Sequence, residues 1–349
     1  MRILMIPSFS MRSYTKDEWL LTRDAHYTQA EALGKRWARD GHEIEMVIPY
    51  KSDVHGGQHS MSNDWYTPLV HVGYGHNIAD QRRDLFWMDV IDLEDKGYDV
   101  IFCGHPEYGS ALRIMYPNAA IATILTHGPL ATWDYLESIG SSLDASDVIF
   151  YNFSERLLPV TFTLHYVQKL RKLYCYADGD IGPPIESEPR GDRVFFLSRL
   201  SDPNRFDYDK MRRILTSLSA TMTVTCGDPS EAGTLPEGTH YFSQRSKQFF
   251  LERLRRVRYA IVPYQMEHTY SVSYFEALAC GCQVLTMKGR DHFHPLNSQL
   301  NFESIDAIPG IIQENWPSNS LELFNKAEVL GFYVNDETAN KVLNTILGR

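Results

Sequence analysis

No stretch of this 349-residue chain approaches the roughly 18–20 consecutive apolar residues that a helix needs to cross a bilayer, so no integral membrane segment is expected. The opening run MRILMIPSFSMRSY has too short an apolar core for a secretory leader and reads as a first buried strand. Cysteine is scarce: there are five, an odd number, and no pair has the spacing of a zinc site or a disulfide framework. Cys103, Cys226 and Cys280 lie in or beside apolar segments, Cys175 and Cys282 stand alone, and all five read as reduced thiols. These absences together predict a cytoplasmic protein. Low-complexity tracts are missing too, and 43% hydrophobic with 22% charged residues is a globular composition. Positive charge is in deficit: 34 Lys and Arg against 44 Asp and Glu leave a net charge of −10. Such a chain has no overall attraction for DNA or for anionic membranes, and contact with either requires a local basic patch.

What is present is alternation. Short β-rich runs (Arg2–Ile6, Glu43–Ile48, Asp99–Cys103, Ile121–Leu125, Asp147–Tyr151) are separated by segments long enough for helical crossovers. Between the first two, residues 24–40 carry Tyr27, Ala30, Leu33 and Trp37 at helical spacing, with Gly41 placed to close the helix. At 176–193 the rhythm breaks: YADGDIGPPIESEPRGDR holds three prolines, three glycines and seven charged residues and reads as a linker. Beyond it come strands at 194–198, 222–226, 259–264 and 283–287, with helices from about 208, near 246–257, ending at Gly281, and near 320–328 and 336–347. The pattern predicts an α/β protein of two doubly wound, Rossmann-like domains. The first spans 1–180 and the second 190–349, with the last helix free to pack back on the first domain. Ligands of such sheets bind beyond the carboxyl ends of strands, which directs attention to the loops after Ile6, Leu125, Ser198, Cys226 and Tyr264.

Residues 259–287, YAIVPYQMEHTYSVSYFEALACGCQVLTM, are the most informative. They read as a buried strand, a polar loop, a short helix closed by glycine and a second buried strand. The amino end of such a helix carries about half a positive charge and free N–H groups, a setting suited to a diphosphate. Glu276, one turn inside, could accept hydrogen bonds from vicinal hydroxyls such as those of a ribose. An alternative needs no ligand: Ser273 and Glu276 have the spacing of a capping box.

This stretch resembles the large retaining GT-B glycosyltransferase family, whose helix is written E-A-x-A-C-G; Glu276, Ala277, Ala279, Cys280 and Gly281 match. The resemblance implies two domains facing a central cleft, a nucleotide-sugar donor held mainly by the C-terminal one, and Glu276 on the donor ribose. It implies donor contacts from Ser198, Gly227, Ser271, Val272 and Ser273 as well. The family's first acidic residue falls here on His268, next to Glu267. LSRLSDPNR (197–205) resembles the family's G-R-L-x-x-x-K loop, with Arg199 matching and Arg205 one place late; both are expected at the diphosphate. Thr126-His127-Gly128 follows the strand IATIL where many members carry a histidine near the sugar, so His127 is expected to orient the sugar or to act as a base, with Asp17, Glu18 and Asp24 as rivals. The family's glycine-rich first loop is replaced by PSFSMRSYTKDEW.

Four other patterns are read as structural. Asp178-x-Asp180 mimics the metal pair of a different glycosyltransferase fold but falls in the linker. His292-x-His294 beside Asp291 lacks further ligands at zinc spacing. Lys169, Arg171 and Lys172 read as the polar face of a helix, and Arg253, Arg255, Arg256 and Arg258 as the solvated end of another.

The expected activity is transfer of a sugar from a nucleotide sugar, a UDP-sugar first, to a saccharide, lipid-linked or small-molecule acceptor, with retention and without a cofactor. A weaker resemblance, to the DNA glucosyltransferases of T-even phages, implies a DNA acceptor carrying hydroxymethylated pyrimidines; His127 falls where that family has a catalytic aspartate. A GT-B-fold sugar-nucleotide epimerase, or a nucleotide-sugar-binding protein without catalysis, is the third reading.

Overall fold

The computed structural model describes residues 1–7, 9–13, 19–23, 25–49, 66–71, 96–125, 133–152, 158–173, 177–184, 191–196, 208–219, 223–226, 239–241, 247–262, 272–287, 300–314 and 317–349. The chain divides into two compact units. One comprises Met1–Arg12, Glu18–Asp178 and Val334–Arg349; the other comprises Gly179–Tyr333 with Ser13–Asp17. The crossing into Gly179–Tyr333 falls inside the proline- and glycine-rich stretch at 176–193, and the last 16 residues belong with the first unit. Among the described residues, no helix is long and apolar enough to cross a membrane.

In the first unit the elements run β1 (Arg2–Ile6), β2 (Phe9–Ser13), β3 (Trp19–Arg23), α1 (Ala25–Arg39), β4 (Glu43–Pro49), β5 (Thr67–His71), β6 (Val100–Cys103) and α2 (Gly109–Met115). They continue with β7 (Ala120–Leu125), α3 (Trp133–Ser138), α4 (Gly140–Ala145), β8 (Val148–Tyr151), α5 (Val160–Tyr166), β9 (Leu170–Lys172) and β10 (Ala177–Asp178). Seven of the strands form one sheet in the order β5-β4-β1-β6-β7-β8-β9, and all its pairings are parallel. A parallel sheet is covered on both faces, which is why its strands are continuous apolar runs rather than alternating ones. Ile3 and Met5 join the cluster around Leu33 and Trp37 of α1, while Leu4 and Ile6 face the opposite cluster around Leu112 and Tyr116. Gly41, at φ +83°, closes α1 where the sequence placed its end.

The second unit contains β11 (Gly191–Phe196), α6 (Tyr208–Ser219), β12 (Thr223–Cys226), β13 (Thr239–Tyr241), α7 (Lys247–Arg255), β14 (Val257–Val262), α8 (Val272–Ala279) and β15 (Gln283–Met287). It continues through β16 (Asn301–Phe302), α9 (Ile308–Gln313), α10 (Ser320–Val329) and β17 (Tyr333–Val334), after which α11 (Asp336–Ile346) returns to the first unit. Its sheet has the order β13-β12-β11-β14-β15-β16, again all parallel. This is the Rossmann strand order. Val194 and Phe196 bury against Met211 and Leu215 of α6, and Phe195 turns the other way onto Phe250 of α7, ring to ring at 5.8 Å.

The structure departs from two sequence expectations. Lys169, Arg171 and Lys172 are not on a helix: α5 stops at Tyr166, and Leu170–Lys172 is the edge strand β9, paired with β8 through Phe150 and Arg171. The cations suit an edge, where a charged side chain discourages further strand pairing. Second, β11 begins at Gly191, three residues before the expected strand and inside the stretch read as linker.

Helices α2 and α4 meet at an unusually short range. A Cβ on Gly109 would lie 2.1 Å from the carbonyl oxygen of Ser142, while Ser142 Oγ donates to the Glu107 carbonyl at 2.7 Å. On helix propensity alone Gly109→Ala would stabilise by roughly 0.5–1 kcal/mol. The contact reverses the sign, and a loss of about 1–3 kcal/mol is expected in urea unfolding. A variant as stable as wild type would show that the two helices do not meet this closely.

Candidate nucleotide-sugar site

Strand order decides where a doubly wound sheet binds its ligand. At the point where successive strands are laid down on opposite sides of the first, the two crossovers diverge and leave a crevice at the carboxyl ends. In the second unit β12 and β13 extend to one side of β11 while β14, β15 and β16 extend to the other, so the crevice opens between β11 and β14. Phe196 is in register with Ile261 on one side and with Cys226 on the other. The segments that start at residues 197, 227 and 263 thus leave three neighbouring strand ends. Those segments contain Ser198, Arg199, Arg205, Gly227, His268 and Ser271, all of which lie outside the described residues.

The described part of the site is α8 and what holds it. Every residue of this helix except Ser273 is buried, including Glu276 at 2% exposure. Burial on all sides explains why VSYFEALA shows little amphipathic contrast. Its carboxyl end is a Schellman turn: the Gly281 N–H donates to the Leu278 carbonyl at 2.8 Å and the Cys282 N–H to the Ala277 carbonyl at 2.9 Å, with Gly281 at φ +77°. The Cys282 thiol lies 3.3 Å from the Leu254 carbonyl at the end of α7. The family-like A-C-G-C run is therefore a helix stop with a small residue packed beneath it, which fixes how far α8 reaches towards the strand ends.

The register of α8 speaks against the capping alternative. The helix begins at Val272, so Ser273 is its second residue and Glu276 its fifth. A capping box needs the serine before the first helical residue and the glutamate three places on. Ser273 and Glu276 are both too far inside, and the pattern read from the sequence does not cap this helix.

In the first unit the equivalent crevice lies between β1 and β6, where the Gly104 N–H donates to the Ile6 carbonyl at 2.7 Å. The residue standing there is His105, which no sequence motif singles out. It is 6% exposed, with Nδ1 3.4 Å from Glu107 Oε1 and its ring 5.3 Å from that of Tyr108. A carboxylate at Nδ1 leaves Nε2 as the atom able to meet a ligand hydroxyl or move a proton. The sequence signal was a histidine two residues after a buried strand, and it gains meaning from strand order. Beside it Cys103 is inert: burial pushes its thiol well up, and its sulfur lies 3.2 Å from the His105 carbonyl. His127 follows β7 by two residues and lies outside the described residues, as do Asp17, Asp24, His292 and His294. Asp178 is occupied by an ion pair with Arg36 at 2.8 Å. Among the described residues, no three His, Cys, Asp or Glu side chains are grouped to hold a metal ion.

No protein-family model and no curated protein matches this sequence. Solved structures do match its fold. An alpha-glucosyltransferase in complex with UDP and a 13-mer DNA containing a central A:G mismatch is 11% identical, with 100% of each chain covered and a TM-score of 0.65. A complex of an alpha-glucosyltransferase with UDP and a 13-mer DNA containing an HMU base is 12% identical, with 100% of each chain covered and a TM-score of 0.63. Anabaena HepE in complex with UDP is 10% identical, again with 100% of both chains covered, at a TM-score of 0.59. The chain has two Rossmann-like α/β domains in a GT-B-like fold.

The register of α8 has a direct consequence. Because Ser273 is not the cap, Ser273→Ala should change stability by less than about 0.5 kcal/mol, against the roughly 1 kcal/mol lost with a true cap. A full cap-sized loss in thermal unfolding would restore the capping box.

Proposed function

We propose that this protein is a UDP-glucose-dependent glucosyltransferase of GT-B fold that transfers glucose to a hydroxyl group on DNA. The observation that carries this is the correspondence along the full length of both chains with alpha-glucosyltransferases solved with UDP and DNA. It moves the preference from the saccharide or lipid-linked acceptor expected first to the DNA acceptor that was its alternative.

The donor is placed at the carboxyl ends of β11 and β14. Glu276 accepts hydrogen bonds from the ribose hydroxyls, and its burial strengthens charge-assisted bonds of that kind. Arg199, Arg205 and the amino end of α8 neutralise the diphosphate, with Ser271, Val272 and Ser273 contributing around that end; these groups supply the electrostatic stabilisation that the leaving group demands. Ser198, Gly227 and His268 complete the donor contacts. The acceptor oxygen bonds to the glucose C1 atom as the C1–phosphate bond breaks, UDP departs, and the acceptor proton passes to the diphosphate. UDP-glucose carries its sugar in the α configuration, so attack on the leaving-group face retains it, and His127 orients the sugar rather than serving as base. With a net charge of −10, DNA is held by local cationic segments and not by the field of the whole molecule. That same charge favours a second reading, in which the acceptor is a saccharide, lipid-linked or other small molecule. HepE, solved with UDP and glucose, shares the fold over its whole length.

The test is transfer of labelled glucose from UDP-glucose to duplex DNA with and without 5-hydroxymethylpyrimidine. Label in modified DNA only, with an α-anomeric proton signal by NMR and no loss on adding chelator, is expected. Turnover with saccharides alone would establish the second reading, and epimerisation without an acceptor would overturn both. Glu276→Gln, which keeps the shape and removes the charge, should weaken UDP binding by about 1.5–3 kcal/mol.

A further inference from the structure

Tyr333 is the last residue of the second unit, at the point where the chain turns back to the first. Its side chain is completely buried, and its hydroxyl donates to the Phe275 carbonyl at 2.7 Å. That carbonyl belongs to α8 and immediately precedes Glu276. The rings reinforce the contact: Tyr333 meets Phe275 edge to face at 5.8 Å, Phe332 lies 5.3 Å from Phe275, and Phe324 of α10 packs 4.5 Å from Tyr333. Burial pushes the phenol well above its ordinary value, so it stays a neutral donor at any working pH.

This bond is more than the satisfaction of a buried hydroxyl. A carbonyl in the middle of a helix already accepts the N–H four residues on, so Phe275 needs no second donor to remain satisfied. A phenylalanine at 333 would fill the same space with no polar atom to place. The hydroxyl thus adds a directional tie to α8 at Phe275 rather than volume. From the sequence alone, a tyrosine 58 positions downstream of Phe275 carries no sign of this role.

We infer that Tyr333 is a positioning residue for the donor site: its hydroxyl ties α8 at the carbonyl next to Glu276 and so sets where Glu276 and the helix amino end meet the nucleotide. The inference rests on the donor reading above. Functional groups must be held within about 0.5 Å of their productive place, and one directional bond to the carrying helix is the kind of support that does so.

Titration of UDP and UDP-glucose into wild type, Tyr333→Phe and Leu215→Ala, with melting temperatures on all three, tests it. Leu215→Ala opens a cavity in the same unit's core on α6 and serves as the purely structural control. Tyr333→Phe should weaken UDP about three- to tenfold, the fold-change of one buried hydrogen bond, at a small cost in melting temperature. Leu215→Ala should melt lower still and keep the wild-type affinity. Equal affinity in Tyr333→Phe and wild type overturns the positioning role while leaving the donor site standing. Affinity that falls in proportion to melting temperature in both variants overturns it as well. Wild type that binds neither ligand at millimolar concentration removes the donor reading itself.

Discussion

The guanidinium of Arg36 is 2% exposed, and the passage of the chain out of its first unit and back again is organised around it. Asp178, the last residue on the way out, pairs with it at 2.8 Å; Asp336, two residues after Val334 on the way back, lies at 3.7 Å. The guanidinium also donates to the Ala32 carbonyl at 3.0 Å. A cation this deeply buried is tolerable only with its counter-charges in place, because desolvation otherwise costs several kcal/mol. The pair therefore acts as a constraint more than as a source of stability: it holds the chain against α1 at the crossings that bound residues 179–333. The neighbouring Trp37 continues the clamp, its indole N–H donating to the Ala339 carbonyl of α11 at 2.9 Å. With the crossings held, residues 179–333 form one uninterrupted Rossmann-like domain whose first strand is central in its own sheet.

From that placement the candidate donor site follows. Putting the first strand centrally creates a switch point, and the loops that leave it are the ones that carry Arg199, Arg205 and His268. The helix that closes the site is clamped rather than free: a Schellman turn stops one end, a thiol sits against the end of α7, and a tyrosine at the returning crossing ties its middle. A preorganised helix end and buried carboxylate suit a reaction whose main electrostatic demand is a departing diphosphate.

Much of the fold was legible in the sequence for a simple physical reason. Central parallel strands are buried on both faces, so RILMI, VIFC, AIATIL and QVLTM stand out as apolar runs, and α1 announces itself through Ala30, Leu33 and Trp37. The peripheral elements were not legible. Strands β9, β10, β16 and β17 have two or three residues each, too few for a period to show, and the cations of β9 imitated a helix face. Site residues divide the same way. Glu276 was found through a motif, yet whether it capped the helix depended on where α8 starts, which local spacing could not fix. His105 was missed because its position acquires meaning only when strand order puts β6 beside β1. Tyr333 was missed because its contact spans 58 residues.

The central claim is that the nucleotide is held at the carboxyl ends of β11 and β14. Hydrogen–deuterium exchange with and without saturating UDP-glucose measures this directly on the intact chain. Protection concentrated in peptides covering 197–205 and 263–276 is the predicted result. Protection confined to residues before 178, with the second unit unchanged, would contradict it.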